Sequence, residues 1–344
     1  MDRVREHFRR QARACRELGS PFTATLLELA ADRLDEATSF GRAVLGWPGN
    51  PGADGLALRF AGSLHGLVLS GAAPALARTY PGGRSEIDPA VLWAEVALAL
   101  RVHAAVLLSG LQSPPQTNEV ARSAVLLGGF SAIAAKTGRP LALLELGASA
   151  GLNLHWDAYG YTLAGATWGP AAAPFRLEPD WRGVVPALGP VEVRSRRGCD
   201  RHPIDPGDAR DRLRLRAYIW PDQEARLARL DAALDHAARQ DVRVERADAA
   251  DWVAARLAER PAGATTVLYH SIVWPYLPSA TRQRIEAALE LAAAADETPL
   301  AWLRMEPSAD KSQAELLLTS WPGRISQRLA HADYHGRWVH WLDS

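Results

Sequence analysis

The polar side chains that could do chemistry in this chain gather around one short turn. Gly147, Ser149 and Gly151 are separated only by alanines, directly after the run Leu141-Ala-Leu-Leu-Glu-Leu146. Five of those six residues are apolar, which suits a strand covered on both faces. A buried strand running into a small-residue turn lets a ligand approach the backbone, and turn amides can cradle a polar group. Two chemistries use such a turn. Glu145-x-Gly147-x-x-x-Gly151 places an acid and two glycines where a nucleoside cofactor can lie. Gly147-x-Ser149-x-Gly151 places a hydroxyl on a tight elbow, where Ser149 can act as a nucleophile. Asn153 follows closely.

Further along, His270 ends the β-rich run from residue 264, and Glu306 ends the run from residue 299. A histidine near its ordinary neutral-range pKa can serve as a general base. Glu306 can take a substrate amine or hydroxyl, or pair with Arg304, and the alternation expects Arg304 to face away from the crevice. Asn118, Glu119 and Arg122 precede the apolar segment that leads into the 141–146 strand, so they are candidates to line the same crevice. Asp222, after Trp220-Pro221, and Tyr276 are further substrate-contact candidates. His202 and Asp205 lack further ligands at metal-site spacing, so no metal is expected.

The elements that must position these groups fall into two parts. Residues 1–138 read as helices, including one capped by Asp88-Pro89 that runs to about Leu108, and one from near Pro114 to Gly138. Residues 139–344 read as strand, helix, strand, which implies a mostly parallel α/β sheet. Between them, residues 155–200 carry prolines and tryptophans and read as an insertion or lid. Residues 191–195 read as a strand, followed by a polar loop to Asp205. Segments 315–320 and 336–342 lie too close for a helical crossover, and are expected to pair as an antiparallel edge.

Composition narrows the function classes. The formal net charge is +0, which argues against a general electrostatic grip on nucleic acid or an anionic membrane. Lys136 and Lys311 are the two lysines, leaving few Schiff-base candidates. Cys15 and Cys199 form no disulfide framework. The charged N-terminus lacks the apolar core of a signal peptide, and the 91–108 apolar region is broken by Glu95, Arg101 and His103. A soluble cytoplasmic protein acting on a small molecule is the expectation.

The glycine turn after a first strand resembles the first motif of class I S-adenosylmethionine (SAM) dependent methyltransferases. That resemblance implies a Rossmann-like sheet with an antiparallel C-terminal pair. It implies SAM as cofactor, held by Glu145, Gly147, Ser149, Gly151 and Asn153, with Asp248 and Ala249 near the adenine. It also implies an acid at the end of the second strand to bind the ribose, for which neither Glu192 nor Asp200 is a clean match. The stretch from Val267 to Pro278 resembles that family's fourth-strand motif. The second reading, resemblance to an α/β-hydrolase elbow, makes Ser149 an esterase nucleophile, with His331, His335 or His340 as base and Asp310 as acid. Against it, nothing before residue 140 reads as a strand, whereas a hydrolase sets its nucleophile mid-sheet. A third reading is a non-catalytic nucleotide- or metabolite-binding module. The whole chain also resembles a bacterial family of uncharacterised conserved proteins, through Gln116-Thr-Asn-Glu-Val-Ala-Arg122, Glu145 to Leu154, Arg197-Gly-Cys-Asp200, Tyr218 to Gln223, Trp274 to Pro278, Arg304-Met-Glu-Pro307 and Trp321-Pro-Gly323. That resemblance implies one architecture from residue 56 onward, with pocket residues among those motifs.

Overall fold

The computed structural model describes residues 1–82 and 88–342. The chain runs α1 (Asp2–Glu17), α2 (Pro21–Arg33), α3 (Ser39–Leu45), α4 (Leu56–Leu69), α5 (Pro74–Ala77), α6 (Pro89–Val102), α7 (Ala104–Gln112) and α8 (Ser123–Thr137). Then follow β1 (Leu141–Leu146), β2 (Gly160–Leu163), β3 (Ala166–Trp168), β4 (Arg176–Leu177), β5 (Asp180–Arg182) and β6 (Val193–Asp200). Next come α9 (Ala209–Ala217), α10 (Glu224–Ala238), β7 (Val244–Arg246), α11 (Ala249–Ala258), β8 (Thr265–Ser271) and α12 (Ser279–Ala295). The chain closes with β9 (Leu300–Pro307), β10 (Ala314–Trp321), β11 (Ile325–Ala332) and β12 (Trp338–Trp341).

Contacts divide the chain into a helical unit, residues 1–117 with 208–230, and a sheet unit, residues 118–207 with 231–344. The sequence places the boundary at 138. The contacts put α8 with the sheet, and return α9 and the start of α10 to the helices. In the helical unit Phe8, Phe40, Phe60 and Leu64 form part of one buried core. The single helix expected from Pro89 to about Leu108 is two helices, bent by 89° at His103. Among the described residues no single helix is long and apolar enough to cross a membrane.

The sheet unit is mixed α/β. Its large sheet has nine strands in the order β5-β12-β11-β10-β9-β8-β1-β6-β7, mostly parallel. The five strands β7-β6-β1-β8-β9 all run parallel, with β1 at the centre. β1 is buried along its whole length because helices cover both faces. One face packs on α8, where Gly128 and Gly129 allow close approach. A Cβ on Gly129 would lie 2.5 Å from Leu303, and one on Gly128 would lie 2.4 Å from Trp341. The other face carries Leu144, Leu146, Leu268 and Trp302 against α11 and α12.

Three expectations are corrected here. Residues 155–200 are not only an insertion: β2, β3 and β4 make a small separate sheet, but β5 joins the edge of the large sheet beside β12, and β6 is the second strand of its five-stranded parallel block. The first half of the polar loop expected after residue 195 is therefore strand, up to Asp200. The segments 314–321 and 338–341 are not an edge pair, because β11 lies between them and pairs with both. The result is a sequential antiparallel meander, β9-β10-β11-β12, with no strand inserted out of order. The segment from Pro114 is not helical at its start; a 3-10 turn at Val120–Arg122 leads into α8.

Candidate functional site

In an open parallel sheet, ligands bind outside the carboxyl ends of the strands, where the order reverses. Here that point lies between β1 and β8. The glycine turn sits there. Gly147 and Gly151 have φ of 63° and 72°, and Ser149 has φ of 55°. Ile272, just past β8, also has φ of 55°. A β-branched residue there is a strained outlier, and such strain gathers at functional sites. A Cβ on Gly147 would lie 2.5 Å from Val273, and one on Gly151 would lie 3.1 Å from Val244. Gly147 is thus favoured by internal packing as well as by φ, and Gly151 chiefly by φ with a tight neighbour.

Every amide from residue 148 to 152 has a protein acceptor. Ala148 N–H donates to the Cys199 carbonyl at 3.0 Å, and Gly151 N–H to the Ala148 carbonyl at 2.7 Å. Ser149 N–H donates to Asp200 Oδ2 at 3.0 Å. Asn118 Oδ1 accepts from both Ala150 N–H, at 3.2 Å, and Leu152 N–H, at 3.1 Å. Asn153 answers in the other direction: its Nδ2 donates to the Glu119 carbonyl at 3.3 Å, and its Oδ1 accepts from Ser123 Oγ at 2.7 Å. Glu119 Oε1 caps the following 3-10 turn through Ala121 N–H. Arg122 reaches the Ser271 and Tyr334 carbonyls at 3.1 and 2.9 Å. The stretch 118–123 and the glycine turn therefore hold one another, which is why both read as distinctive in the sequence.

Glu145 lies beneath this clamp, on the α8 face. It is buried, and Tyr269 Oη donates to its Oε2 at 3.2 Å. Tyr269 Oη also lies 3.3 Å from the Asn153 carbonyl. Burial pushes the Glu145 carboxyl up to about 8, with the Tyr269 bond and Arg122 pulling down and Asp200 adding to the rise. Burial therefore favours the protonated, neutral form of Glu145.

Asp200 is the residue that sequence reasoning left unassigned. It ends β6, beside β1, and its two oxygens each take one backbone donor: Ser149 N–H on Oδ2 and His202 N–H on Oδ1, the latter at 2.8 Å. A carboxylate oxygen accepts two bonds, so one acceptor position remains on each. Asp248, by contrast, caps α11 through Ala250 N–H at 3.0 Å, with Ala249 as the first helical residue.

His270 and Glu306 lie on the opposite face from Glu145. Trp302, Arg304 and Glu306 are two apart along β9, so they share a face with His270. This corrects the expectation that the alternation turns Arg304 away from the crevice that His270 and Glu306 line. His270 is fully buried and stacks on Trp274 at 5.1 Å. Trp302 Nε1 donates to its Nε2 at 3.1 Å. An indole can only donate, so the ring proton sits on Nδ1 and is given to Glu306 Oε1 at 2.6 Å. Both nitrogens are committed, which makes His270 a positioning group as folded. Glu306 Oε1 also accepts from Val273 and Trp274 N–H, at 3.0 and 3.2 Å. Its Oε2 is buried with no hydrogen-bond partner among the described residues.

The remaining candidates lie elsewhere. Asp222 belongs to the helical unit, where Oδ2 accepts Phe22 N–H at 2.8 Å and Oδ1 accepts the Ser20 hydroxyl, capping the start of α2. Tyr276 is 78% exposed. Ser149 Oγ is buried and has no hydrogen-bond partner among the described residues, so no histidine touches it. His331 bonds Gln313, and Asp310 bonds Ser308 and Ser312, within the meander and the loop that leads into it.

No curated protein and no solved structure matches the chain. A family model described as an uncharacterized protein conserved in bacteria (DUF2332) matches residues 5–341. The chain belongs to that family.

Proposed function

We propose that the sheet unit binds S-adenosylmethionine at the carboxyl ends of β1 and β6 and transfers its methyl group to a small-molecule acceptor. The carrying observation is Asp200. In chain order the parallel strands run third, second, first, fourth, fifth, the Rossmann-like order, with the glycine turn after the first strand. An acid at the end of the second strand is where ribose hydroxyls are held, and Asp200 has one open acceptor position on each oxygen. The turn fits a nucleoside without phosphate at that point. Its amides are all spent on protein acceptors, whereas a dinucleotide needs them for its pyrophosphate.

When bound, SAM supplies an electrophilic methyl on sulfur. The chain's own work is to bind and orient. Glu306 Oε2 is the open acceptor for a hydroxyl or amine of the incoming molecule, and His270 holds Glu306 in place. Calorimetric titration with SAM and S-adenosylhomocysteine tests the reading. Saturable binding is expected, weakened about tenfold or more in Asp200→Ala, the loss of roughly 1.4 kcal/mol or more. Absence of binding at millimolar ligand would remove it.

The positive φ and unpartnered hydroxyl of Ser149 favour an esterase as the second reading. It requires labelling of Ser149 by a fluorophosphonate. If SAM binds but no acceptor turns over, the binding-module reading gains.

A further inference from the structure

A second set of polar groups lies apart from the turn. A cavity of about 350 Å³ in the sheet unit is lined by His155, Asp157, Arg196, His236 and Gln240, with Val242 on its wall. His155 follows the turn, in the 3-10 segment Leu152–Ala158, where its own φ and ψ are non-helical at −103° and 20°. His236 comes from the last turn of α10, and Arg196 from the middle of β6.

His155 is 4% exposed, yet neither its nitrogens nor those of His236 have a hydrogen-bond partner among the described residues. A buried polar ring normally has one, and its absence beside a cavity calls for a partner that arrives. The two rings stand edge to face, 5.3 Å apart and 73° from coplanar.

Arg196 completes the set. Its Nη1 donates to Asp157 Oδ1 at 2.7 Å and to the Leu154 carbonyl at 2.9 Å, and its Nη2 donates to Asp157 Oδ2 at 3.0 Å. A guanidinium has five N–H donors. The Nε–H and the second Nη2–H, which form one side of the fork, have no acceptor among the described residues. That edge has the spacing of two oxyanion oxygens. Both Asp157 oxygens are engaged by Arg196, which holds the guanidinium in place.

We propose that this cavity binds the phosphate-type oxyanion of a small molecule, on the open Nε/Nη2 edge of Arg196 and the ring nitrogens of His155 and His236. The two histidine rings stand 73° from coplanar, which suits a tetrahedral anion over a planar carboxylate. The cavity is larger than the anion alone, leaving room for the group that carries it.

The groups facing the cavity set its pH dependence. From the 3-10 segment come His155 and Asp157, from β6 Arg196, and from the α10 end His236, with Arg239 nearby. Burial, then Arg196 and His236, bring His155 down to about 4, with Asp157 opposing. Burial and Arg239 also lower His236. An entering anion reverses the repulsion, so binding takes up protons and strengthens as pH falls.

Sulfate is the first probe, because it stays a dianion across the range and leaves the protein as the titrating partner. The intact chain is titrated calorimetrically with sulfate at pH 6 and pH 8 at fixed ionic strength, with acetate as the planar control. Expected are saturable binding, at least fivefold tighter at pH 6 with proton uptake, and acetate weaker by about tenfold. His236→Gln, at a half-exposed position, weakens sulfate about tenfold at pH 6, and Arg196→Gln abolishes saturation while circular dichroism reports the fold. Sulfate that fails to saturate the wild type, binds equally at both pH values, is matched by acetate, or is indifferent to His236→Gln would overturn the proposal. SAM binding is read separately, so the two sites stand or fall independently.

Discussion

Asn118→Ala is expected to lower the unfolding free energy by about 2–4 kcal/mol, the largest loss from any single polar side chain around the turn. One oxygen, Asn118 Oδ1, satisfies the amides of both Ala150 and Leu152. Asn118 is buried, so water does not replace it. A buried donor left without a partner costs about 1–3 kcal/mol, and here there are two. Urea unfolding followed by tryptophan fluorescence measures the loss. Asp248→Ala is the comparison: it removes a partly exposed N-cap and is expected to cost about 1 kcal/mol. Equal costs for the two substitutions would contradict the clamp.

The second large effect is on pH. Glu145 titrates near 8 in the fold, against 4.5 in the unfolded chain. Between those values the folded state holds a proton that the unfolded chain has released. Stability therefore falls as pH rises, by up to about 1.4 kcal/mol per unit. His155 acts oppositely, because its folded value is about 4 against 6.5. From pH 4 to 6.5 the unfolded chain holds the extra proton, and stability rises with pH. The two oppose each other from pH 4.5 to 6.5, where His236, also lowered by burial, acts with His155; from pH 6.5 to 8 the Glu145 contribution remains. Stability of the sheet unit is expected to decline across that upper window in wild type and to stay level in Glu145→Gln. A decline of the same size in Glu145→Gln would assign it to another group.

The legible parts of the fold are those where burial writes a simple pattern. β1 and β8 are buried along their whole length; β1 is almost wholly apolar and β8 is rich in β-branched and aromatic residues, so both read as strands at once. Asn118, Glu119 and Arg122 are readable as neighbours of the turn because the helix they precede leads straight into β1. β6 was not readable past residue 195. Its pairing with β7 covers only Gly198, Cys199 and Asp200, so Arg194, Arg196 and Arg197 stand on an open half and look like a loop. With the strand's end read as loop, Asp200 does not stand out from Glu192 as the acid at that strand's end. β11 is hidden in the same way, since its residues 325–328 are exposed and carry no apolar alternation. His270 and Glu306 were identified as partners of the crevice, but their chemistry depends on Trp302 Nε1, a contact across strands that no spacing in the sequence encodes. Asp222 reads the same as a cap or a ligand until the fold brings Ser20 and Phe22 to it.

Hydrogen–deuterium exchange with and without S-adenosylhomocysteine tests the central claim most directly, because it reports where the ligand sits. The account predicts slowed exchange in peptides covering residues 144–154 and 198–206, and loss of that protection in Asp200→Ala. Unchanged exchange in both segments at saturating ligand, or protection that survives Asp200→Ala, would contradict a cofactor site at the ends of β1 and β6.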